Sequence, residues 1–161
     1  MTLNLDRTAV LALNAANVTE TAPLDGAELE ALLEEAFHVG LRDDGRTAVL
    51  VAFDQDADYA SPNFIWFRER YPRFAYVDRI IVSAAARGQG HARSLYEELF
   101  AAARAAGHDV VTCEINMEPP NPGSDAFHAA LGFMEVGDAW LGDSGKRVRY
   151  LVRRLEGDAA R

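Results

Sequence analysis

Between Tyr76 and Ala92 the sequence reads Tyr-Val-Asp-Arg-Ile-Ile-Val-Ser-Ala-Ala-Ala-Arg-Gly-Gln-Gly-His-Ala, an apolar strand pattern that runs into a glycine-bearing turn and then a helix. A strand feeding such a turn converges successive backbone N–H groups and the positive helix end on one point. Such a point binds phosphate. Gly88 and Gly90 permit the positive φ values and close backbone approach that a bulkier residue resists, and Arg87 and Arg93 add charge. A dinucleotide fingerprint fits less well, because Arg93 stands at the third-glycine position and the motif lies far from the N-terminus. The bland alternative is a glycine-rich turn without a ligand. The complete strand, turn and helix arrangement favours the anion site.

The elements that must position this turn alternate along the chain. Thr8 to Leu13 reads as a first strand. Asp25 opens a helix, with Glu28 completing a capping box and Leu29, Leu32, Leu33, Ala36 and Phe37 at helical spacing, and Gly40 is expected to end it. Thr47 to Phe53 reads as a buried strand. The aromatic segment Tyr59 to Tyr71 turns at Ser61-Pro62-Asn63 into a short helix. Phe74 to Val82 is the next strand, and Gly90 to Ala106 an amphipathic helix with Ala92, Leu95, Leu99, Ala102 and Ala106 on one stripe, closed by Gly107. Val110 to Asn116 follows as a strand, then a proline-rich bend, a helix from about Pro122 to Leu131, and strands near Phe133 to Ala139 and Lys146 to Leu155. The order is α/β, with antiparallel hairpins at the ends.

Composition narrows the function classes. The 161 residues suit one domain, since single cores typically serve about 100 to 200 residues. No apolar run approaches the roughly 18 residues of a membrane span, and Met1 to Val10, with Asp6 and Arg7, lacks the build of a secretory signal. A cytoplasmic protein with no membrane partner is expected. A net charge of −9 argues against nucleic acid, which requires clustered Lys and Arg. Residues 1 to 60 hold twelve acids against Arg7, Arg42 and Arg46, so the acidity belongs to the first third. That third either draws in a cationic partner or simply keeps the protein soluble, the second being favoured. The single cysteine, Cys113, excludes an internal disulfide and a multi-thiolate metal site, so no metal is expected. Cys113 has no motif-supplied base to activate it and reads as a small strand residue, not a nucleophile.

The turn resembles the acetyl-CoA loop of the GNAT superfamily of acetyltransferases, in which Gln or Arg is followed by two residues, Gly, one residue, then Gly or Ala. Arg87, Gly90 and Ala92 fit that order. The resemblance continues through the strand Val110 to Asn116 and into Asn121 to Phe133, which is similar to the family's later helix segment running from Asn to Leu-Gly-Phe. It spans about Tyr76 to Val136. Tyr59-Ala60-Ser61-Pro62-Asn63-Phe64, with Trp66-Phe67, further resembles a small subgroup of the superfamily with no assigned substrate. The resemblance implies a single N-acetyltransferase domain over residues 1–161. Its fold would be α/β and GNAT-like, a mixed, mostly antiparallel central sheet flanked by helices, with splayed central strands.

Direct transfer of an acetyl group from acetyl-CoA (coenzyme A) to a primary amine, without an acetyl-enzyme, is the activity this resemblance implies. The pantetheine arm would lie between the strand holding Ile80, Ile81 and Val82 and the strand holding Glu114, where a backbone N–H could polarise the thioester carbonyl. Arg87, Gly88, Gln89, Gly90, His91, Ala92 and Arg93 match the pyrophosphate loop, and Asn121 and His128 match later cofactor-contacting positions. Asn121 precedes Pro122 and equally suits a helix cap. Amine attack needs a base to deprotonate the ammonium form. Glu114 ranks first and Asp78 second, each with a structural hydrogen bond or ion pair as its alternative. His128 departs from the family, which usually has a tyrosine there to protonate the leaving thiolate. Histidine can donate a proton near neutral pH, and a buried histidine bonded to a backbone carbonyl is the equal alternative. Tyr59, Phe64, Trp66 and Phe67 line an acceptor pocket or, by a small margin, pack in the core. A noncatalytic acyl-CoA-binding or sensing module is the competing function. The acceptor is left as an amine-bearing small molecule or peptide, and a homodimer is left open.

Overall fold

The computed structural model describes residues 4–17, 22–117, 120–142 and 145–155. Helix α1 spans Arg7–Ala15 and α2 Gly26–Glu35. Strands β1 (His38–Arg42) and β2 (Ala48–Asp54) precede α3 (Pro62–Arg68). Strand β3 (Phe74–Val82), α4 (His91–Ala105) and β4 (Val110–Asn116) form the centre. Helix α5 (Pro122–Ala130) and the hairpin β5 (Met134–Leu141) and β6 (Lys146–Arg154) complete the described chain. Part of the expected proline-rich bend, residues 118–119, lies outside the described residues.

The six strands form one sheet in the order β1-β2-β3-β4-β6-β5. Every neighbouring pair is antiparallel except β3 and β4, which are joined through α4 and run parallel. The sheet has a packed layer on each face because successive strand residues point to opposite sides. Val49, Val51 and Phe53 join Val10, Leu13, Leu29, Leu32, Phe64 and Phe67 of α1 to α3. Leu50 and Ala52 join Leu95, Tyr96, Leu99 and Phe100 of α4 on the other face.

Two elements correct the sequence reading. Thr8 to Leu13 is helical, not a strand. Asp6 caps α1 by accepting from the Ala9 N–H at 3.0 Å, and Val10, Leu13 and Asn14 bury one face at helical spacing. The cap and the packed face outweigh the weak strand preference of one valine. Gly40 does not end α2, which stops at Glu35 with Ala36 already extended (ψ 133°). Gly40 sits buried within β1, where an added Cβ would come within 2.8 Å of Leu95 Cδ2. A larger residue there would push aside the buried Leu95 side chain of α4, which packs over the strand.

The expected stripe on α4 also shifts. Leu95 and Leu99 are buried as expected, but Tyr96, Phe100 and Ala103 join them while Ala106 is exposed. The buried face is therefore aromatic on one side, and that side turns toward α5.

Candidate active site between the parting central strands

Strands β3 and β4 pair at Phe74 with Val110, Ala75 with Val111 and Tyr76 with Thr112, and beyond those pairs they separate. Strand β3 stays paired with β2 as far as Val82, and β4 with β6 as far as Asn116. A gap between the two strands results. The register between β2 and β3 steps from Val51 opposite Arg79 to Ala52 opposite Val77, leaving Asp78 as the extra residue of a bulge. Bulges bend a strand and increase its twist, which carries β3 away from β4. The gap opens into a cleft of about 620 Å³, lined by Asp78, Ile80, Ile81, Val82, Arg87, Tyr96, Cys113, Glu114, Asn121 and His128 among others.

Glu114 lies two residues past the last β3–β4 pair, on the sheet face shared with Tyr76. The Tyr76 hydroxyl donates to Glu114 Oε1 at 2.8 Å. Asn63 of α3 also hydrogen-bonds Glu114, and its own carbonyl oxygen accepts from the Tyr150 hydroxyl at 2.9 Å. Burial pushes the Glu114 carboxyl up to about 7, with the nearby Asp78 carboxylate adding to the rise and the Tyr76 hydrogen bond opposing it. A carboxylate that titrates near neutrality suits a proton acceptor working at neutral pH. Burial and the adjacent Glu114 together hold the Tyr76 phenol well above its ordinary range.

Asp78 is committed differently. Its Oδ2 pairs with Arg79 Nε at 2.7 Å and its Oδ1 accepts from the Tyr59 hydroxyl, while both partners of the ion pair are almost fully buried. Arg79 continues to Asn14 Oδ1 at 2.6 Å, tying the end of α1 to the cleft wall. Both Asp78 oxygens are therefore engaged, one by a buried guanidinium, whereas Glu114 is held only by neutral donors where it lines the cleft.

Beyond β3 the chain enters the glycine loop. Gly88 (φ +80°) and Gly90 (φ +84°) occupy the left-handed region that disfavours other residues, and an added Cβ at either would meet nothing within 4 Å. Gly90 is the N-cap of α4 and offers no capping side chain, so the first N–H groups of this 15-residue helix have no side-chain acceptor. Gly88, Gln89, Gly90 and Arg93 are exposed and His91 and Ala92 half-buried, beside the cleft rather than within its lining. Arg87 reaches across the cleft, where its Nη2 donates to Asn17 Oδ1 at 2.7 Å. Arg93 faces Glu97 along the helix surface at 4.0 Å.

Asn121 and His128 meet the cleft from α5. Asn121 caps that helix by accepting from the Ser124 N–H at 3.1 Å, and it lines the cleft as well. His128 is buried, with Nδ1 2.8 Å from the Ser124 carbonyl oxygen and Nε2 2.8 Å from the Tyr96 hydroxyl. Burial lowers its basicity, opposed by the Ser124 carbonyl and the Asp125 carboxylate. Cys113 is buried against Tyr96, and burial raises its thiol. Phe64 and Phe67 are core residues, and Trp66 stacks on Tyr150 with centroids 4.2 Å apart. Tyr59 packs its ring on Phe53 and Phe64 and meets the site through its hydroxyl on Asp78.

Sequence reasoning missed Tyr76, Asn63 and Tyr96. A buried tyrosine hydroxyl needs a partner, so tyrosines on otherwise apolar faces were the available signal for Tyr76 and Tyr96. Asn63 carried no signal before the tertiary fold brought α3 to β4.

A family model described as Acetyltransferase (GNAT) family matches residues 19–133, and the chain belongs to that family. It is an acyltransferase. Among solved structures it is similar to a ribosomal-protein-alanine N-acetyltransferase from Brucella melitensis (TM-score 0.68, 20% identity, covering 95% of this chain and 96% of that one). An N-acetyltransferase from Staphylococcus aureus Mu50 aligns with TM-score 0.65 and 18% identity over 94% of this chain and 93% of that one. A NatC complex bound to Gag peptide and CoA aligns with TM-score 0.67 and 13% identity over 92% and 89%. At these identities the structures establish a shared fold. No curated protein matches the chain significantly. Among the described residues no helix is long and apolar enough to cross a membrane.

Proposed function

We propose that the protein transfers an acetyl group from acetyl-CoA to a primary amine by direct attack, with Glu114 as the base. The observation that carries this reading is Glu114 at the parting of β3 and β4, held by Tyr76 and raised to about 7. The family assignment and the CoA-bound structural neighbour support acetyl-CoA as the donor.

The residues fit that substrate. The uncapped start of α4 and the two positive-φ glycines suit a pyrophosphate, with Gly88 to Arg93 supplying backbone N–H groups and Arg87 charge. Backbone groups of Ile80 to Val82 that do not face β2 are free to bond an extended amide-bearing arm and to polarise a thioester carbonyl. Glu114 accepts the proton released as the amine attacks, and the tetrahedral adduct then collapses with loss of the thiolate. Asp78, whose oxygens are both engaged, shapes the bulge and holds Arg79. Cys113, buried and with its thiol raised, is poorly suited to carry an acetyl group.

The test follows free thiol release from acetyl-CoA against amino acids, polyamines, aminoglycosides and peptides with free N-termini. Release with at least one amine is expected, reduced by about 10² to 10⁴ in Glu114→Gln with acetyl-CoA affinity kept. Tight acetyl-CoA binding without turnover of any amine would replace this reading with an acyl-CoA-sensing module.

A further inference from the structure

The proton that the leaving thiolate must receive has a source in the arrangement of α4 and α5. The Ser124 carbonyl oxygen offers only lone pairs, so the short contact at 2.8 Å requires the proton on His128 Nδ1. Burial favours the neutral ring, which then carries a lone pair on Nε2. The Tyr96 hydroxyl, 2.8 Å away, must donate to it. His128 therefore presents no proton on the nitrogen that faces Tyr96, and its one N–H is held by a backbone carbonyl. Tyr96 is fully buried on α4, lines the cleft with Cys113 and His128, and carries an O–H that can turn.

We propose that Tyr96 is the residue that protonates the leaving coenzyme A thiolate, and that His128 is a positioning residue that holds its hydroxyl at the cleft. The proposal rests on the acetyl-transfer reading above. As the carbon–sulfur bond breaks, its electron pair stays on sulfur. The Tyr96 hydroxyl turns from Nε2 to sulfur, its O–H bond breaks and an S–H bond forms. The phenolate is reprotonated through water by the proton that Glu114 took from the attacking nitrogen. One proton has then passed from nitrogen to sulfur, and the enzyme is restored.

The ionisable groups around this pair agree with the assignment. Cys113 of β4 faces Tyr96, the Glu114 carboxylate acts on Tyr96 from the opposite face of the same strand, and Asp125 of α5 acts on His128. A base at Glu114 requires pH above about 7, whereas an imidazolium at His128 requires pH below its ordinary value, so the two working forms scarcely coexist. Burial and the neighbouring Cys113 and Glu114 keep Tyr96 protonated throughout that range.

The experiment needs no acceptor. Free coenzyme A is bound to the protein, and its thiol is titrated by thiolate ultraviolet absorbance, as a difference against the CoA-free protein to remove Cys113. Hydrogen bonding from Tyr96 to the thiolate should lower the midpoint below that of free coenzyme A by about one pH unit. Tyr96→Phe should abolish the shift while calorimetric affinity holds. His128→Gln, whose carbonyl oxygen can still accept from Tyr96, should largely keep it. Fluorinated tyrosine at position 96, a more acidic donor of nearly the same shape, should deepen it and covers the case in which Tyr96→Phe fails to fold. A shift that survives Tyr96→Phe, or one lost only in His128→Gln, overturns the proposal. Failure of the wild type to bind coenzyme A would instead overturn the acetyl-transfer reading beneath it.

Discussion

Replacing Glu114 with glutamine should make the protein more stable at alkaline pH while disabling it. Glu114 titrates near 7 in the folded chain against an ordinary 4.5, chiefly because burial penalises its charged form. The folded state therefore binds this proton more tightly than the unfolded state does. Above pH 7 both states hold a carboxylate and the fold carries the whole cost; as pH falls from 7 to 4.5 only the folded state takes up the proton, and the cost disappears. The rise of about 2.5 pH units corresponds to about 3 kcal/mol at 1.36 kcal/mol per unit. Glutamine keeps the shape and still accepts from Tyr76, so Glu114→Gln should gain up to about 3 kcal/mol at pH 8 and only about 1 kcal/mol at pH 5.5. Urea unfolding of both proteins at the two pH values measures this. An equal gain at both, or a loss at pH 8, would show that Glu114 does not carry the strained charge on which its role as base depends.

Gly90→Glu sets bulk and negative charge at the start of α4 and should abolish acetyl-CoA binding by calorimetry, while thermal melting falls only by the cost of a non-glycine residue at positive φ, about 1 to 2 kcal/mol. Unchanged affinity in the folded variant would remove the loop from the site. Asp78→Ala leaves Arg79 buried without its carboxylate and should cost about 3 kcal/mol or more in urea unfolding, an outcome that a purely catalytic Asp78 would not produce. Asn121→Ala removes the α5 cap and should cost about 1 kcal/mol in the same assay.

The glycine loop, the strands on either side of it and the α5 segment were legible because each rests on local chemistry. Positive φ at Gly88 and Gly90, the cap at Asn121 and the apolar run of β3 are decided within a few residues. The spacing from Arg87 to Ala92 thus carried the family, and Glu114 and His128 followed by their place in it. Local chemistry also misled. Gly40 reads as a helix stop in sequence, yet its small size answers to Leu95, far along the chain. Thr8 to Leu13 reads as a strand until Asp6 caps it as a helix.

What the tertiary structure alone decided is which polar groups meet. In sequence Glu114 ranks only narrowly ahead of Asp78 as the base. The bulge turns Asp78 toward Arg79 and Tyr59, and the parting of β3 from β4 leaves Glu114 with Tyr76 and an open cleft. Tyr96 is an unmarked residue on a helix face until α5 packs against it and sets His128 2.8 Å from its hydroxyl. A strand or helix pattern specifies which face a residue takes. The partner across that face is set by packing between elements distant in the chain, and a proton's path depends on that partner.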